Sequence, residues 1–397
     1  MAVSASSPRL GESVFPKRSL LIFLATFLCR MVVGYHFFAI GGMSRQWTNE
    51  TAAIAHSLVV HHSYAAVYSG YSGPTAWLAP VYPFLVAACF RILGIDSPAA
   101  AGALLLLNSI FSCLTAVLIY RLGREYFSES AGLVAAVAWA LSPLAAMNTL
   151  LLWDTALSAL MVCLSLLAVL RANSTPSWAG AGALWGLSAL VSPVLLAPLP
   201  AILAVRLWRN PSRVKYAATC CLVAACVLMP WSIRNRVVLG ATFPVRSNAW
   251  AEIYFGNVSF DLHPCARPNG LYQQVGETRF VQQMRLGAID YVGAHPGEFA
   301  WMSLQRWIKF WLVPIGLLPL TAGIALGVLA GGVLLARDRG WAAAPFLAVP
   351  IFYPVLYSMT HIEARYRHPI EPVLYLLAAY AIVSLARRLR LGPRLGR

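Results

Sequence analysis

Two acidic residues lie where a carboxylate could act on a substrate. Glu50 follows an apolar segment, and Asp154 directly precedes another, within LLLWDTALSALMV. An acid beside a long apolar run is costly to bury, so it indicates a functional site by default. Two carboxylates facing one cavity would suit general-base catalysis, in which one deprotonates a hydroxyl nucleophile. The alternatives are structural. Glu50 would be a helix-dipole carboxylate in a first turn capped by Thr48 or Asn49, and Asp154 would cap its own helix.

Three arginines lie beside apolar segments and suit phosphate binding. Arg234 follows one such segment (MPWSIRNRVVLG), and Arg365 and Arg367 precede another (THIEARYRHPIEP). A guanidinium binds two phosphate oxygens at once, so arginines at headgroup level would hold a lipid-linked phosphate. The alternative is that they pair with Glu363 and Glu371 or with ordinary phospholipid headgroups.

The elements that must position these residues are membrane helices. Of the 397 residues, 59% are hydrophobic and 11% are charged, and the mean hydropathy is +0.68. Soluble domains carry about 25% charged residues, so this chain lacks the polar side chains that a water-facing surface needs. The composition excludes a soluble enzyme, a disordered chain and a collagen, and it predicts an all-α polytopic membrane protein. The net charge of +16 then indicates a basic cytoplasmic face rather than a nucleic-acid partner.

Runs of about 20 apolar residues mark the expected membrane helices, because that length crosses the roughly 30 Å hydrocarbon core. The run at 177–208 is too long for one crossing, and Ser192-Pro193 should split it into two. Residues 80–94 are too few for a span and contain Arg91, which favours an interfacial or re-entrant helix. About ten transmembrane helices result. The remaining expected spans are 19–40, 99–120, 131–150, 155–170, 217–232, 313–336, 341–358 and 370–386.

Charges between these spans predict which face is cytoplasmic. Seventeen of the 30 Lys and Arg residues fall on one side, which the positive-inside rule makes cytoplasmic together with both termini. The exterior face carries two long segments, 43–98 and 233–312, which should hold juxtamembrane helices. The candidate acids and arginines lie on this exterior face. The segments assigned to the cytoplasm are 1–18, 121–130, 171–176, 206–216, 337–340 and 387–397.

Five short motifs follow one another along the chain. They are Glu50 with IAHSL at 54–58, GPTAWLAPVYP at 73–83, Asp154 at the head of its span, PWSIRN at 230–235 and RYRHP at 365–369. In this order and topology they resemble the GT-C class of membrane glycosyltransferases over nearly the whole chain. Within that class the chain is similar to the bacterial branch of glycosyltransferase family 39. That branch is related to dolichyl-phosphate-mannose protein mannosyltransferases, aminoarabinose transferases and lipopolysaccharide galacturonosyltransferases.

The resemblance implies one GT-C domain over 1–397, a polyprenyl-phosphate sugar donor, an exterior active site and inversion at the anomeric carbon. The enzyme would transfer a hexosyl or pentosyl group to a hydroxyl of a glycan, a lipid or a protein. It would lie in the bacterial inner membrane, with membrane lipids, donor and acceptor as its partners. By position, Glu50 and Asp154 match the family's two exterior acids. Arg234 and Arg365 match its donor-facing basic residues.

Further candidates complete the expected site. Arg367 is a third residue for the donor phosphate. Five aromatic residues are expected either to line the sugar and acceptor pocket or to anchor the protein at the membrane interface. They are Trp77, Tyr82, Trp250, Tyr254 and Tyr366. No spacing of Cys and His matches a metal site, so no firm cofactor is expected, although a divalent metal stays open.

The chain departs from the family pattern at two places. Many relatives have two adjacent acids where this chain has Asn49-Glu50. The aminoarabinose branch has a lysine in the loop where this chain has GPT at 73–75.

Two other functions fit the same composition. A lipid or sugar transporter or flippase would also be polytopic, but transporters place ionisable residues near the bilayer midplane, whereas most charges here lie at helix ends. A non-catalytic assembly subunit built on the GT-C fold would share the fold without the reaction. Transport without a covalent product would indicate the first, and donor binding without turnover would indicate the second.

Overall fold

The computed structural model describes residues 17–40, 47–67, 73–259 and 270–391. Within these ranges the chain is α-helical, and the strand-like pairing consists of one isolated bridge between Ala65 and Pro74. The predicted all-α class is confirmed. The helices are α1 (Lys17–Ala39), α2 (Glu50–Val60), α3 (Val81–Leu93), α4 (Pro98–Tyr126), α5 (Glu129–Leu141), α6 (Pro143–Thr149), α7 (Thr155–Arg171), α8 (Thr175–Val191), α9 (Leu199–Arg209), α10 (Val214–Leu239), α11 (Ala249–Tyr254), α12 (Leu271–Val275), α13 (Glu277–Ala294), α14 (Pro296–Leu312), α15 (Leu318–Arg339), α16 (Ala344–Ser358) and α17 (Glu371–Leu391).

Each predicted span coincides with one or two of these helices. An apolar run in a membrane must satisfy its backbone hydrogen bonds within itself, and a helix does so. In the described ranges, five helices are long and apolar enough to cross a membrane, or six if the bent pair α5–α6 is one crossing. Other apolar helices are shorter, such as α7 with 17 residues. The figure of about ten crossings therefore stays a prediction.

Prolines decide where two of the long apolar runs break. α8 ends before Ser192-Pro193 and α9 follows after a short 3-10 turn, as the sequence predicted. The expected span 131–150 is also interrupted, because Ser142-Pro143 divides it into α5 and α6, bent by 57°. Proline has no backbone N–H to donate and disfavours helical geometry in the residue before it. Both breaks follow from this property.

A buried cation stabilises the α5–α6 break. Arg30 in α1 is only 1% exposed, and it donates to the carbonyls of Trp139 and Ala140, both at 2.9 Å. Its Nε donates to Ser112 Oγ at 3.1 Å. Carbonyls at a helix end lack intrahelical partners and carry a partial negative charge, so they suit a guanidinium. Arg30 thus acts as a cap for α5.

Two helices adjust the predicted boundaries. α3 has 13 residues, about 20 Å of helix, which is shorter than the hydrocarbon core and agrees with leaving 80–94 out of the spans. α10 continues through Pro230 to Leu239 rather than ending at 232. The second exterior segment, predicted from residue 233, therefore begins inside α10.

Small residues bring the central helices close together. A Cβ added to Gly123 in α4 would lie 2.2 Å from Gly132 Cα in α5. A Cβ added to Gly331 in α15 would lie 1.9 Å from Leu377 O in α17. Close backbone approach through small residues is typical of membrane helix pairs, because lipid provides no hydrophobic force between them.

Segments predicted to share the cytoplasmic side meet at one end of the bundle. Arg18 pairs with Glu129, and Arg171 pairs with Glu125 at 2.6 Å. Arg339 Nη2 donates to the carbonyl of Phe127 at 3.2 Å. Which side of a membrane this end faces stays a prediction. The tails 1–16 and 392–397 and parts of both exterior segments lie outside the described residues.

Candidate functional site

One large cavity opens among the helix ends that carry the motif residues. It measures about 1320 Å³ and lies between the starts of α2, α3 and α7, the end of α16 and the residues that join α10 to α11. Ligand pockets are commonly about 300–1,000 Å³, so this cavity has room for two substrates. The Asp, Glu, His and Arg side chains that line it are Glu50, His56, Asp154, Arg246, Glu252, His361, Glu363 and Arg365.

Both predicted acids, Glu50 and Asp154, line this cavity. Asn49 brings them together. Its side-chain oxygen caps α2 by accepting from Ala52 N at 2.9 Å, and its amide donates to Leu152 O at 3.1 Å. The start of α2, with Glu50 in its first turn, is therefore tied to the turn that precedes α7. The structure thus contains the expected helix capped by Asn49, and Glu50 in its first turn also faces the cavity.

Asp154 has the environment of a reactive carboxyl. It occupies the N-cap position of α7, but within the described chain its side chain makes no capping hydrogen bond. Its Oδ2 accepts a long hydrogen bond from Ser158 Oγ at 3.4 Å. Burial raises the pKa of Asp154 above its ordinary 3.8, while the charges of Arg246 and Arg365 oppose the shift. A raised carboxyl pKa in a cavity is typical of a functional site.

Arg365 is the predicted arginine that reaches the cavity. Its guanidinium carbon lies 4.0 Å from the centroid of the Trp153 ring, and its Nε lies 2.8 Å from Glu363 Oε2. Burial opposes ionisation of Glu363, but hydrogen bonds and charge interactions with His361 and Arg365 lower its pKa to about 2. Glu363 therefore remains an anion that holds Arg365. The pairing of Arg365 with Glu363, which the sequence offered as the alternative to phosphate binding, is therefore present, and Arg365 also faces the cavity.

Arg234 does not line the cavity. Its Nη1 donates to Thr75 O at 2.6 Å and its Nη2 to Tyr64 O at 2.9 Å. The guanidinium also lies 4.9 Å from the ring centroid of Trp231. The guanidinium N–H groups of Arg234 thus point at backbone carbonyls of the first exterior segment. This geometry does not fit the expected role of Arg234 in binding the phosphate of the sugar donor.

Arg367 is also withdrawn from the cavity. It is 1% exposed, its Nε lies 3.3 Å from Glu371 Oε1, and its Nη1 donates to Trp311 O at 2.8 Å. His368 contacts the other oxygen of Glu371 at 2.9 Å. Arg367 thus belongs to a buried ion cluster with His368 and Glu371, and it does not line the cavity that Arg365 faces.

The five aromatic candidates divide in the same way. Tyr82 and Tyr366 line the cavity, and Tyr366 Oη lies 2.6 Å from His361 Nε2. The other three do not line it. Trp77 is buried against Tyr272, with ring centroids 5.6 Å apart.

Trp250 and Tyr254 pack away from the cavity, on α13. The Trp250 ring lies 5.6 Å from the guanidinium of Arg285. Tyr254 packs on Gly287, where an added Cβ would lie 2.6 Å from its ring. Both are on α11, whose opposite side carries Glu252 into the cavity.

Three cavity residues were missed by sequence reasoning: Arg246, Glu252 and His361. Glu252 accepts from Asn248 Nδ2 at 2.7 Å and lies 3.5 Å from His361 Nδ1. Burial raises the pKa of Glu252, against the opposing charges of His361 and Arg246. The available signal was weak, because these residues are simply ionisable side chains within polar exterior segments.

Comparisons with known proteins bear on this geometry. Residues 73–233 match the family model of dolichyl-phosphate-mannose-protein mannosyltransferase. The fold is similar to the apo oligosaccharyltransferase of Archaeoglobus fulgidus, with a TM-score of 0.58 and 15% identity over 95% of this chain and 52% of that one. It is also similar to ArnT of Cupriavidus metallidurans bound to undecaprenyl phosphate, with a TM-score of 0.52 and 15% identity over 92% of this chain and 60% of that one. The chain has the GT-C glycosyltransferase fold.

This chain spans about half the length of the archaeal structures and 60% of ArnT. The fold is also similar to the oligosaccharyltransferase AglB of Archaeoglobus fulgidus in complex with an inhibitory peptide and a dolichol-phosphate. The TM-score is 0.55 at 15% identity over 96% of this chain and 52% of that one. No protein of curated function matches the chain in sequence. The range matched by the family model includes Asp154 and Trp77, whose carbonyl accepts a hydrogen bond from Arg246. Glu50 and Arg365 lie outside that range.

A metal is present in one structure with this GT-C fold, the archaeal oligosaccharyltransferase complex with Zn and sulfate. Among the residues that the structure describes here, no group of three or more His, Cys, Asp or Glu side chains could hold a metal ion.

Proposed function

We propose that this protein is a membrane glycosyltransferase that moves a sugar from a polyprenyl-phosphate donor to an acceptor hydroxyl, with inversion. The observation that carries the proposal is one cavity in a GT-C fold where the two predicted acids, Glu50 and Asp154, meet two guanidinium groups. These groups belong to Arg246 and Arg365. Acids and arginines on one cavity are the groups that such a reaction requires.

Arg365 and Arg246 hold the donor phosphate in this proposal. Stacking on Trp153 and pairing with Glu363 fix the Arg365 side chain, and Arg246 approaches from the residues that join α10 to α11. Guanidinium groups bind phosphate oxygens strongly because the hydrogen bonds are charge-assisted. The undecaprenyl phosphate of ArnT and the dolichol-phosphate of AglB are ligands of proteins with this fold, which supports a lipid-linked donor.

The chemical step is a single displacement at the anomeric carbon. The acceptor oxygen forms a bond to that carbon while the bond from carbon to phosphate oxygen breaks, and its electron pair stays on the departing phosphate. Arg246 and Arg365 stabilise the charge that develops there. The acceptor proton passes to Glu50 or Asp154. The raised pKa of Asp154 suits a base that works nearer neutral pH.

The charge distribution supports an exterior site for the reaction. With the basic segments on the cytoplasmic side, the cavity opens on the exterior face of a bacterial inner membrane. A lipid-linked donor suits that face, since the sugar arrives already activated by its phosphate. A hexosyl or pentosyl group and a glycan, lipid or protein hydroxyl are the substrate classes that this proposal covers.

A transfer assay tests the proposal. Purified protein in lipid nanodiscs is supplied with undecaprenyl-phosphate hexoses and pentoses together with candidate acceptors. Wild type should form a glycosylated product, and Glu50→Gln or Asp154→Asn should remove most of that activity. Glu298→Gln is a matched control, because Glu298 lies exposed on α14 beside His295, outside the cavity. Full activity in both cavity variants would contradict the proposal. Transport of a substrate into liposomes without any product would instead indicate a transporter.

A further inference from the structure

The segment 74–79, which carries the most extended motif of the chain, is almost completely buried. Thr75 and Ala76 are 0% exposed and Trp77 is 2% exposed. The carbonyls of this segment are held one after another by groups from elsewhere in the chain. The donors are Arg234 Nη1 to Thr75 O at 2.6 Å, Ser247 N to Ala76 O at 2.9 Å, Arg246 Nε to Trp77 O at 3.0 Å and Tyr64 Oη to Leu78 O at 3.0 Å.

Glu277, the first residue of α13, holds the donors of the same segment. Its carboxylate accepts from Ala76 N at 2.7 Å and from Thr75 Oγ1. Tyr272 Oη donates to it as well, at 2.7 Å. Glu277 is 2% exposed. Hydrogen bonds to a buried carboxylate are stronger than neutral ones, so this acid fixes the main chain firmly.

Arg246 connects the segment to the cavity. The Arg246 side chain lines the cavity. Within the described residues, its guanidinium donates one hydrogen bond, from Nε to Trp77 O. The two Nη nitrogens remain for a ligand. The position of the Trp77 carbonyl therefore sets where this guanidinium lies, and that carbonyl is held by the bonds around Thr75 and Ala76.

We propose that Glu277 and Arg234 are positioning residues that hold residues 75–77 so that Trp77 O aims Arg246 at the donor phosphate. This inference rests on the proposed function, because it gives Arg246 a phosphate ligand. It assigns to residues 75–77 the role of a scaffold. Their side chains do not line the cavity, and their main chain orients a residue from the second exterior segment.

The nearly isosteric change Thr75→Val tests the proposal without leaving a cavity. It removes the hydroxyl that donates to Glu277 and accepts from Trp77 N at 2.9 Å. We expect hydrogen exchange of the 75–79 amides to rise about tenfold, as the loss of one buried hydrogen bond predicts. The dissociation constant for undecaprenyl phosphate in nanodiscs should rise by a similar factor. Thr75→Ser restores the hydroxyl and should return both values towards wild type.

Glu277→Gln provides the second variant, because the amide keeps the size of the acid but offers one acceptor oxygen for three donors. It should move exchange and lipid binding in the same direction as Thr75→Val, whereas the exposed control Glu298→Gln should change neither. Unchanged hydrogen exchange of the 75–79 amides in both Thr75→Val and Glu277→Gln would overturn the proposal. Faster exchange with unchanged binding of undecaprenyl phosphate would overturn it too.

The two proposals fail differently in this design. Exchange is measured on the protein without any substrate, and binding is measured with the phosphate lipid alone. If wild type binds undecaprenyl phosphate but transfers no sugar, the proposed reaction is wrong while the positioning role stands. If wild type binds no phosphate lipid, the role assigned to Arg246 is wrong.

Discussion

The guanidinium of Arg365 lies 4.0 Å from the ring centroid of Trp153, the residue directly before Asp154. A cation stacked on an aromatic face at this distance is attracted to the ring and held in a defined orientation. The contact places the proposed phosphate-binding residue and a candidate base on one wall of the cavity. It also joins two distant parts of the chain, the turn before α7 and the 3-10 turn at Ala364–Tyr366 before α17.

Replacement of Arg365 by lysine should weaken donor binding although the charge is kept. Lysine lacks the planar fork that stacks on Trp153 and binds two phosphate oxygens. We expect the dissociation constant for undecaprenyl phosphate to rise about tenfold, as the loss of one charge-assisted hydrogen bond predicts.

The matched control for this change is Arg285→Lys. Arg285 lies 5.6 Å from the Trp250 ring, a similar stacked arginine outside the cavity. Its replacement should leave lipid binding within the error of the measurement. Equal weakening by both changes would mean that stacked arginines act on overall stability and not on the donor.

Replacement of Asp154 by asparagine should lower kcat by about 10²–10⁴, the usual contribution of a general base. Binding of undecaprenyl phosphate should persist, because the arginines remain. Single-turnover kinetics with bound donor separates these two effects. Asp290→Asn, at an exposed position of α13, is the control. A variant that keeps its kcat would move the base to Glu50.

The same variant should be at least as stable as wild type. Burial raises the pKa of Asp154 above 3.8, so the folded state binds this proton more tightly than the unfolded chain does. The stability that this proton contributes is complete below pH 3.8 and is lost as the pH rises through the folded pKa. At pH 7 the ionised acid therefore destabilises the fold, whereas a neutral asparagine would not. Thermal unfolding in detergent at pH 7 compares the stability of the two proteins. A lower Tm in the variant would contradict a raised pKa at Asp154.

The activity should fall on acidification at a pH above 3.8. A base must be ionised to accept a proton, and burial raises the pKa of Asp154 against the charges of Arg246 and Arg365. Glu252 faces the same cavity, and burial raises its pKa as well. A profile of kcat/KM against pH in wild type, Asp154→Asn and Glu252→Gln identifies the group. If the acid limb persists in Asp154→Asn and shifts in Glu252→Gln, Glu252 is the base.

Glu371→Gln should destabilise the fold strongly. Glu371 is buried between Arg367 at 3.3 Å and His368 at 2.9 Å, and its removal leaves a buried cation without its partner. Breaking such a pair costs roughly 3–5 kcal/mol. Glu125→Gln breaks the more exposed pair with Arg171 and should cost below about 1 kcal/mol. Thermal unfolding of the two variants compares them, and equal costs would show that the buried cluster is not a structural pair.

Much of the fold was predictable, because it depends on local composition. The lengths of apolar runs located the helices, and Ser192-Pro193 marked a break that the structure contains. The break at Ser142-Pro143 is equally local, but it lies within a continuous apolar run that predicts one span. The sequence also predicts a span that ends at 232, whereas α10 continues to Leu239 with Pro230 inside it.

The site was predictable in part. Glu50, Asp154 and Arg365 were selected because ionisable residues beside apolar runs are costly, and all three line the cavity. Arg234 and Arg367 met the same criterion and do not. Arg365 shares its residue type and its position beside a span with Arg234 and Arg367. Nothing local therefore separates an arginine that faces a cavity from one that donates to a backbone carbonyl.

The sequence by itself determined that this protein is helical, belongs in a membrane and carries acids and arginines near helix ends, because hydropathy and charge act along the chain. The tertiary structure alone decided which of those charges share a cavity. Arg246 faces it because the carbonyl of Trp77 holds its Nε, and Arg234 does not because the carbonyls of Tyr64 and Thr75 take its donors. Hydrogen bonds between distant segments are satisfied only once the helices have packed, so these roles exist in the fold and not in the motif.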